Sequence, residues 1–404
     1  LAATIMSRPN LAWSTLSLAL GLGACSPEEI QPEPMADPEP ERVWPGQCAE
    51  GVEAGAPTEL AWSVVFSWSR MPFYQALPDG ALVTVAIMSE GVQAESWIDV
   101  RVFEPDGSER WSDRYYGYEG FDAWPRGVAV DADGNIYVSG IDIYGEILDM
   151  LSEPELLYDE LLISWSSEGE RRYRSRTVPC AVNGDGVGIA ADGRVHTARV
   201  AEDRSSVCIQ THSPAGEPEP DVTVDVPYHE GLFYFGEQYF AAQWDGSFLI
   251  ANGTEEPGSM LARHAPDGEQ LWELVEGGMQ TASYRHFLLP GLVGDGRTVV
   301  THQVQYQGHN DEVWMIDREG EIVWRADGHA HGVNCASDVI VERASGSFAL
   351  HDVDDGRVLH EWSNPLPGDI LEHSEFIASP DGAVYVAYRV DNGDYVVARY
   401  EPPA

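Results

Sequence analysis

The sharpest chemical signal in this 404-residue chain is Gly328-His-Ala-His331. Two histidines at i and i+2 of an extended segment project to one side. Neutral imidazoles beside a carboxylate suit zinc and other divalent metals. Further along, His373 stands between Glu372 and Glu375, so His329, His331, His373 and Glu375 form a candidate metal set. The competing reading is a group of ordinary loop histidines with local hydrogen bonds, and spacing alone does not choose between them. No other cofactor is named by the chain. A second set mixes aromatic and cationic side chains suited to ligand binding: Tyr74, Trp124, Arg126, Tyr284, Arg285 and His286. Asp131-Ala-Asp-Gly-Asn135 resembles the start of a calcium loop but lacks the glycine at position six, and a hairpin turn explains it equally well. No Ser/His/Asp arrangement, phosphate-cradling glycine loop or basic-aromatic patch stands out.

The elements that must position these groups are short strands. A cassette recurs in which an alternating strand leads to Asp-Gly, two further strands follow, and an acidic-Gly turn opens a strand carrying Trp. Period-two alternation around two-residue turn signals reads as hairpins. The first turns fall at Asp79-Gly80, Asp133-Gly134, Asp192-Gly193, Asp245-Gly246, Asp295-Gly296 and Asp381-Gly382. The spacing is near-constant until the last gap, which has room for one more, shorter cassette from Asp338 to Trp362. The expectation is an all-β β-propeller of about seven four-stranded blades, with six to eight as the range, since the third and sixth cassettes are degenerate. The last cassette lacks its Trp strand, and a matching one, Glu59 to Phe66 with Trp62, lies near the other end. That strand is expected to close the ring and hide sheet edges. In this scheme both candidate sets lie in the loops and crossovers around one mouth of the central channel. The stretch from Asp142 to Asp159 is expected to form a short acidic helix beside it.

The cassettes resemble bacterial β-propeller repeats of the SBBP and PQQ-like kind. The residues that carry the resemblance are Gly127-Val-Ala-Val-Asp-Ala-Asp-Gly-Asn-Ile-Tyr-Val-Ser-Gly140 and the Asp-Gly-x-x-x-Trp strands at 106–111 and 267–272, within a region spanning about 58–404. The resemblance implies architecture rather than activity, because such repeats build scaffolds, binders and enzymes alike. The vicinal cysteine pair of quinoprotein dehydrogenases is missing, so a quinone cofactor is not implied.

The first 25 residues read as an address. An apolar run from Leu11 to Ala24, with Arg8 before it, has the length of a signal-peptide core and is too short to span a bilayer. Met6 is its expected start. Leu22-Gly-Ala-Cys25 resembles a bacterial lipobox, so Cys25 is the expected lipidation site and 1–25 the lipoprotein signal. Residues 26–57, rich in Pro and Glu at their start, read as an extended, self-repelling tether, and 58–404 as the propeller domain. The expected location is a bacterial cell envelope, lipid-anchored at the outer membrane or cell surface rather than the inner membrane.

The formal net charge is −44, and the chain contains no lysine. Such a surface repels nucleic acid and favours cations and basic partners. Export allows disulfides, for which the remaining cysteines are candidates: Cys180 with Cys208, the closest in sequence, leaving Cys48 with Cys335. The functional expectation is an envelope-anchored binding or scaffold module for a protein, peptide or glycan. The alternative is a propeller enzyme of lyase, lactonase or sulfuryl-transfer class, using His, Arg and acidic groups at the mouth with or without a metal.

Overall fold

A computed structural model describes residues 47–402 except 53, 67–72, 90–95, 118–121, 148–154, 178–185, 201–205, 226–239, 244, 255–257, 278–284, 293–294, 305–310, 344–346, 364–369 and 391–393. Among the described residues every element is a strand, and no helix is long and apolar enough to cross a membrane. After β1 (Glu59–Phe66) the strands run in consecutive fours. The first sheet holds β2 (Phe73–Ala76), β3 (Leu82–Ser89), β4 (Ser96–Phe103) and β5 (Glu109–Tyr116). The second holds β6 (Asp122–Val130), β7 (Ile136–Ile147), β8 (Glu155–Trp165) and β9 (Arg171–Thr177), and the third β10 (Val187–Ile189), β11 (Val195–Val200), β12 (Ser206–His212) and β13 (Val222–Asp225). The fourth holds β14 (Phe240–Ala242), β15 (Phe248–Thr254), β16 (Gly258–His264) and β17 (Gln270–Gly277), and the fifth β18 (Arg285–Leu292), β19 (Thr298–Val304), β20 (Glu312–Ile316) and β21 (Ile322–Asp327).

The remaining strands form one eight-stranded sheet. Half of it is β22 (His329–Val333), β23 (Val339–Glu342), β24 (Ser347–His351) and β25 (Val358–Ser363). The other half is β26 (Ile370–Ala378), β27 (Val384–Val390) and β28 (Tyr395–Glu401), with β1 on its outer edge. Two contacts define this sheet. One is a single parallel pairing, Gly332 with Phe376, between β22 and β26. The other is the antiparallel pairing of β1 with β28, from Glu59–Glu401 to Phe66–Tyr395.

Burial explains the strand chemistry. The second and third strands of each four lie between neighbouring sheets, so β4 is buried along almost its whole length, Asp99 included, whereas the outer β5 buries only Tyr115. The apolar cores lie between successive sheets. Val83, Val100, Val138 and Ile163 join the first to the second, Ile209 and Phe248 the third to the fourth, and Leu82 and Phe103 meet Tyr385 and Val397 of the last group. First strands lie against first strands, β2 on β6, β6 on β10, onward to β22 on β26, and β26 on β2.

The Asp-Gly turns behave as the sequence suggests. Gly80, Gly134, Gly193, Gly246, Gly296 and Gly382 all take positive φ, and the N–H groups of Gly80, Gly134, Gly193, Gly246 and Gly382 each donate to the carbonyl three residues earlier. In the degenerate sixth cassette Ser337 takes this place at φ 74°. Outer-strand tryptophans lock onto the second turn of the next sheet. Trp62, Trp111, Trp272 and Trp324 cover Gly107, Gly169, Gly320 and Gly356, where a Cβ would stand 2.7–2.9 Å from the indole. Their Nε1 atoms donate to the carbonyls of Pro105, Ser167, Arg318 and Val353.

One expectation changes. The stretch from Asp142 to Asp159 is no helix where it is described. It extends β7 and β8 as a long hairpin, with Asp142 opposite Asp159 and Ile147 opposite Glu155. Before β1 the backbone is held to the last blades: Cys48 N–H donates to the Cys335 carbonyl, Ala49 N–H to that of Pro380 and Thr58 N–H to that of Glu401. Cys25 lies outside the described residues.

Candidate functional site

Every described candidate residue lies within a first strand, not in a crossover loop. Tyr74 is in β2, Trp124 and Arg126 in β6, Arg285 and His286 in β18, His329 and His331 in β22, and His373 and Glu375 in β26. Tyr284 falls outside the described residues. The reason is that first strands begin where the crossovers arrive. Polar residues there mimic loop composition although the backbone is already paired in the sheet.

Tyr74 is buried, and its hydroxyl accepts the Ala387 N–H at 3.1 Å. It therefore ties the first sheet to the last. Trp124 is half-buried, with its Nε1 donating to Ser96 Oγ at 2.9 Å. The Ser96 N–H in turn donates to Asp122 Oδ1 at 2.6 Å, so Asp122, Ser96 and Trp124 form one linked group between β4 and β6. Arg126, two residues on, is also half-buried. Of Arg285 and His286 the backbone is described, paired with Val304 and Gln303.

The two histidines of β22 stay together. Their ring centroids are 4.9 Å apart, as the i, i+2 spacing requires. Each meets a carboxylate that the sequence reading missed. His329 Nδ1 lies 3.3 Å from Asp311 Oδ2, and His331 Nε2 lies 2.9 Å from Glu342 Oε2. His331 is buried and packs on the rings of Phe348 and Phe376, while His329 keeps 30% of its side-chain surface exposed. Asp311 lies just before β20 and Glu342 ends β23. No local sequence pattern links either to its histidine: Glu342 reaches His331 across the β22–β23 pairing, and Asp311 reaches His329 from the neighbouring sheet. Among the described residues no three His, Cys, Asp or Glu side chains are gathered as a metal group.

The calcium-like segment is occupied by its own turn. Asp131 Oδ1 accepts the N–H groups of Asp133 and Asn135, and its Oδ2 accepts Asn135 Nδ2 and the Tyr137 hydroxyl. Cys48 and Cys335 form a disulfide, as elimination suggested. Cys208 is disulfide-bonded too, and its expected partner Cys180 falls outside the described residues.

The WD40 β-propeller domain of Doa1 superposes on the chain with a TM-score of 0.52 at 12% identity, over 85% of this chain and 97% of that one. The chain is a β-propeller. Two further structures are similar: BamB from Moraxella catarrhalis at a TM-score of 0.43 and 11% identity, over 84% of this chain and 99% of that one, and BBS1N in complex with ARL6DN at 0.48 and 12%, over 85% and 97%. At such identities the likeness concerns the fold alone. No protein-family model and no curated protein matches the chain. In propeller terms the candidate residues sit on the innermost strands of the blades, and the Trp-bearing strands form the rim.

Proposed function

We propose that this chain is a seven-bladed propeller, closed by β1 and held by a lipid on Cys25 in a bacterial cell envelope, that offers an acidic platform to a basic protein or peptide. One observation carries the reading: the propeller's own structure engages its arginines. Arg110 pairs with Glu104 and Asp79, Arg171 with Asp113, Arg174 with Asp142, Arg263 with Asp245, Arg297 with Asp295 and Asp354, and Arg399 with Asp381. With positive charge spent on internal contacts and a formal net charge of −44, the excess carboxylates define the field that a partner meets. The linked Asp122–Ser96–Trp124 group offers an aromatic face beside a carboxylate, which suits Arg or Lys side chains.

The test is calorimetric titration of the full chain with an Arg-rich peptide and with its neutral, Gln-substituted analogue. The expected result is binding of the cationic peptide only, weakening steeply with salt and weakened again by Trp124→Ala. Equal binding of both peptides, or salt-independent binding of a neutral glycan instead, overturns the charge-based reading. Membrane fractionation of Cys25→Ser tests the anchor separately; retention in the membrane fraction refutes it.

A further inference from the structure

Three histidines stand where burial opposes a charge. His196, His264 and His351 are all buried, and in each the Nε2 atom has no hydrogen-bond partner. His264 Nδ1 lies 3.3 Å from the Gly268 carbonyl oxygen, and His351 Nδ1 lies 2.8 Å from that of Gly356. A carbonyl only accepts, so in both rings the proton is on Nδ1 and Nε2 is a bare lone pair. His196 Nδ1 is 3.0 Å from Thr211 Oγ1. Protonating any of the three puts a charged N–H where nothing accepts it.

Two of the three share one joint. His264 is paired with Phe248 across β15 and β16, and His196 of β11 stands edge-on to the same ring at 5.0 Å. Phe248 thus has an imidazole of the third blade and one of the fourth as neighbours, within the apolar cluster of Ile209, Ile250 and Met260. Neither place requires a histidine. His264 ends the third strand of its blade, where the first and second blades have Phe103 and Trp165. His196 is second in the second strand of its blade, where the first and fourth have Val83 and Leu249. The dock at this joint is Val222 over Gly268. His351, by contrast, lies against Trp324 at 5.9 Å, whose indole covers Gly356 and donates to the Val353 carbonyl.

The surrounding charges do not offset protonation. Burial lowers the His196 pKa to about 4, with Arg194 adding to the effect, Asp192 opposing it and the His212 ring of β12 adding again. Burial also lowers that of His264, against the Gly268 carbonyl and Glu273 of β17. Asp267 and Glu269 of the following turn, and Asp221 and Asp225 at the ends of β13, are exposed. Arg263 faces the fifth blade, where it donates to the Gly296 and Arg318 carbonyls, and pairs with Asp245.

We propose that the joint between the third and fourth blades is an acid-released clasp: protonation of His196 and His264 parts these two blades while the tryptophan docks keep the other joints closed. A ring whose folded pKa is lowered favours the closed joint above pH 6.5 and loses that contribution as pH falls towards the folded value. For His196 alone the ratio of open to closed joint rises roughly 30-fold between pH 7.5 and pH 5. The inference is independent of the peptide-binding reading, since it needs neither a partner nor an anchor.

Two buried methionines report on the joints. Met260 belongs to the joint of the third and fourth blades, and Met315 to that of the fifth and sixth. The full chain in detergent is treated with peroxide at pH 7.5 and at pH 5, and sulfoxide at each methionine is followed by mass spectrometry of its peptides. The expected result is Met260 oxidation faster by at least about 10-fold at pH 5, Met315 oxidation changed by less than about 3-fold, and unchanged circular dichroism. His196→Leu with His264→Phe, side chains that other blades carry at these places, should remove the acceleration. His351→Phe should leave it. If the double variant does not fold, His196→Gln and His264→Gln singly should each lower the acceleration. No acceleration at Met260 refutes the clasp. Equal acceleration at Met315 means that the whole ring yields to acid, and it also overturns the proposal. Full acceleration in the double variant, or in both Gln variants, shows that these histidines are not the trigger.

Discussion

The joint between the first and second blades and the joint between the third and fourth solve one packing problem with different means. At the first, Trp111 covers Gly169 and donates to the Ser167 carbonyl at 2.9 Å. Trp165 Nε1 returns to Asp113 Oδ2 at 2.8 Å, and Arg171 joins the same carboxylate. At the second, Val222 of the short strand β13 stands over Gly268, where Trp62, Trp111, Trp272 and Trp324 stand at four other joints and Tyr173 at the joint before it. Beside the apolar cluster of Ile209 and Phe248, this joint also holds a buried histidine. His196 stands edge-on to Phe248 at 5.0 Å, with Nδ1 3.0 Å from Thr211 Oγ1. A Trp dock combines apolar area with a satisfied N–H and is indifferent to pH. A Val contact with a neutral imidazole gives less area and adds a group that protonation can charge. The degenerate third cassette is thus a physically thinner joint.

The largest expected effect breaks both joints together. Deleting 58–66 removes β1 from β28 and with it the Trp62 dock, exposing the β28 edge. The cost is several kcal/mol, of the order of a domain's total stability. Urea denaturation should show a broad, early transition; a truncated chain that melts with the parent's midpoint and slope disproves the clasp.

The next effect separates the joints by pH. Burial lowers the His196 pKa to about 4, and the positive charge of Arg194 adds to that. A histidine whose folded pKa lies below its unfolded value stabilises the fold above pH 6.5 and loses that contribution as pH falls towards 4. The total is on the order of 3 kcal/mol, of which about 2 kcal/mol is lost between pH 7 and pH 5, above most carboxylate titration. His196→Gln should flatten this slope, and hydrogen exchange at pH 5 should rise first in β11 and β12. An unchanged slope in the variant would show that this joint is not the acid-sensitive one.

The smallest effect compares the docks directly. Trp111→Ala is expected to cost about 3 kcal/mol and Val222→Ala about 1 kcal/mol. A difference of about 2 kcal/mol in urea midpoints at constant slope sharpens the comparison. Equal losses would mean that the indole dock adds nothing beyond its neighbours.

Turns, outer tryptophans and the pairing of β1 with β28 were legible because their signals are local. A positive-φ glycine after Asp needs no distant partner to be recognised, and the orphan Trp62 strand answered a strand missing after Tyr400. The candidate site was legible in residue type but not in placement. His329 and His331 announced themselves, whereas Asp311 and Glu342 looked like two of many carboxylates in a strongly acidic chain. For Tyr74 too the residue type was legible, but its bond to the Ala387 N–H, made between the first and last sheets, was not.

By itself, the sequence determined the all-β cassette, its hairpin turns, the position of the Trp-bearing strands and the acidic character of the surface. Each follows from local backbone preference, from period-two burial or from simple charge. The tertiary structure decided which carboxylate meets which histidine, made the Cys48–Cys335 bond that elimination had suggested, and paired β22 with β26 through Gly332 and Phe376. Those facts depend on how blades stack around a common axis. Stacking brings together residues hundreds of positions apart, and no local preference encodes that meeting.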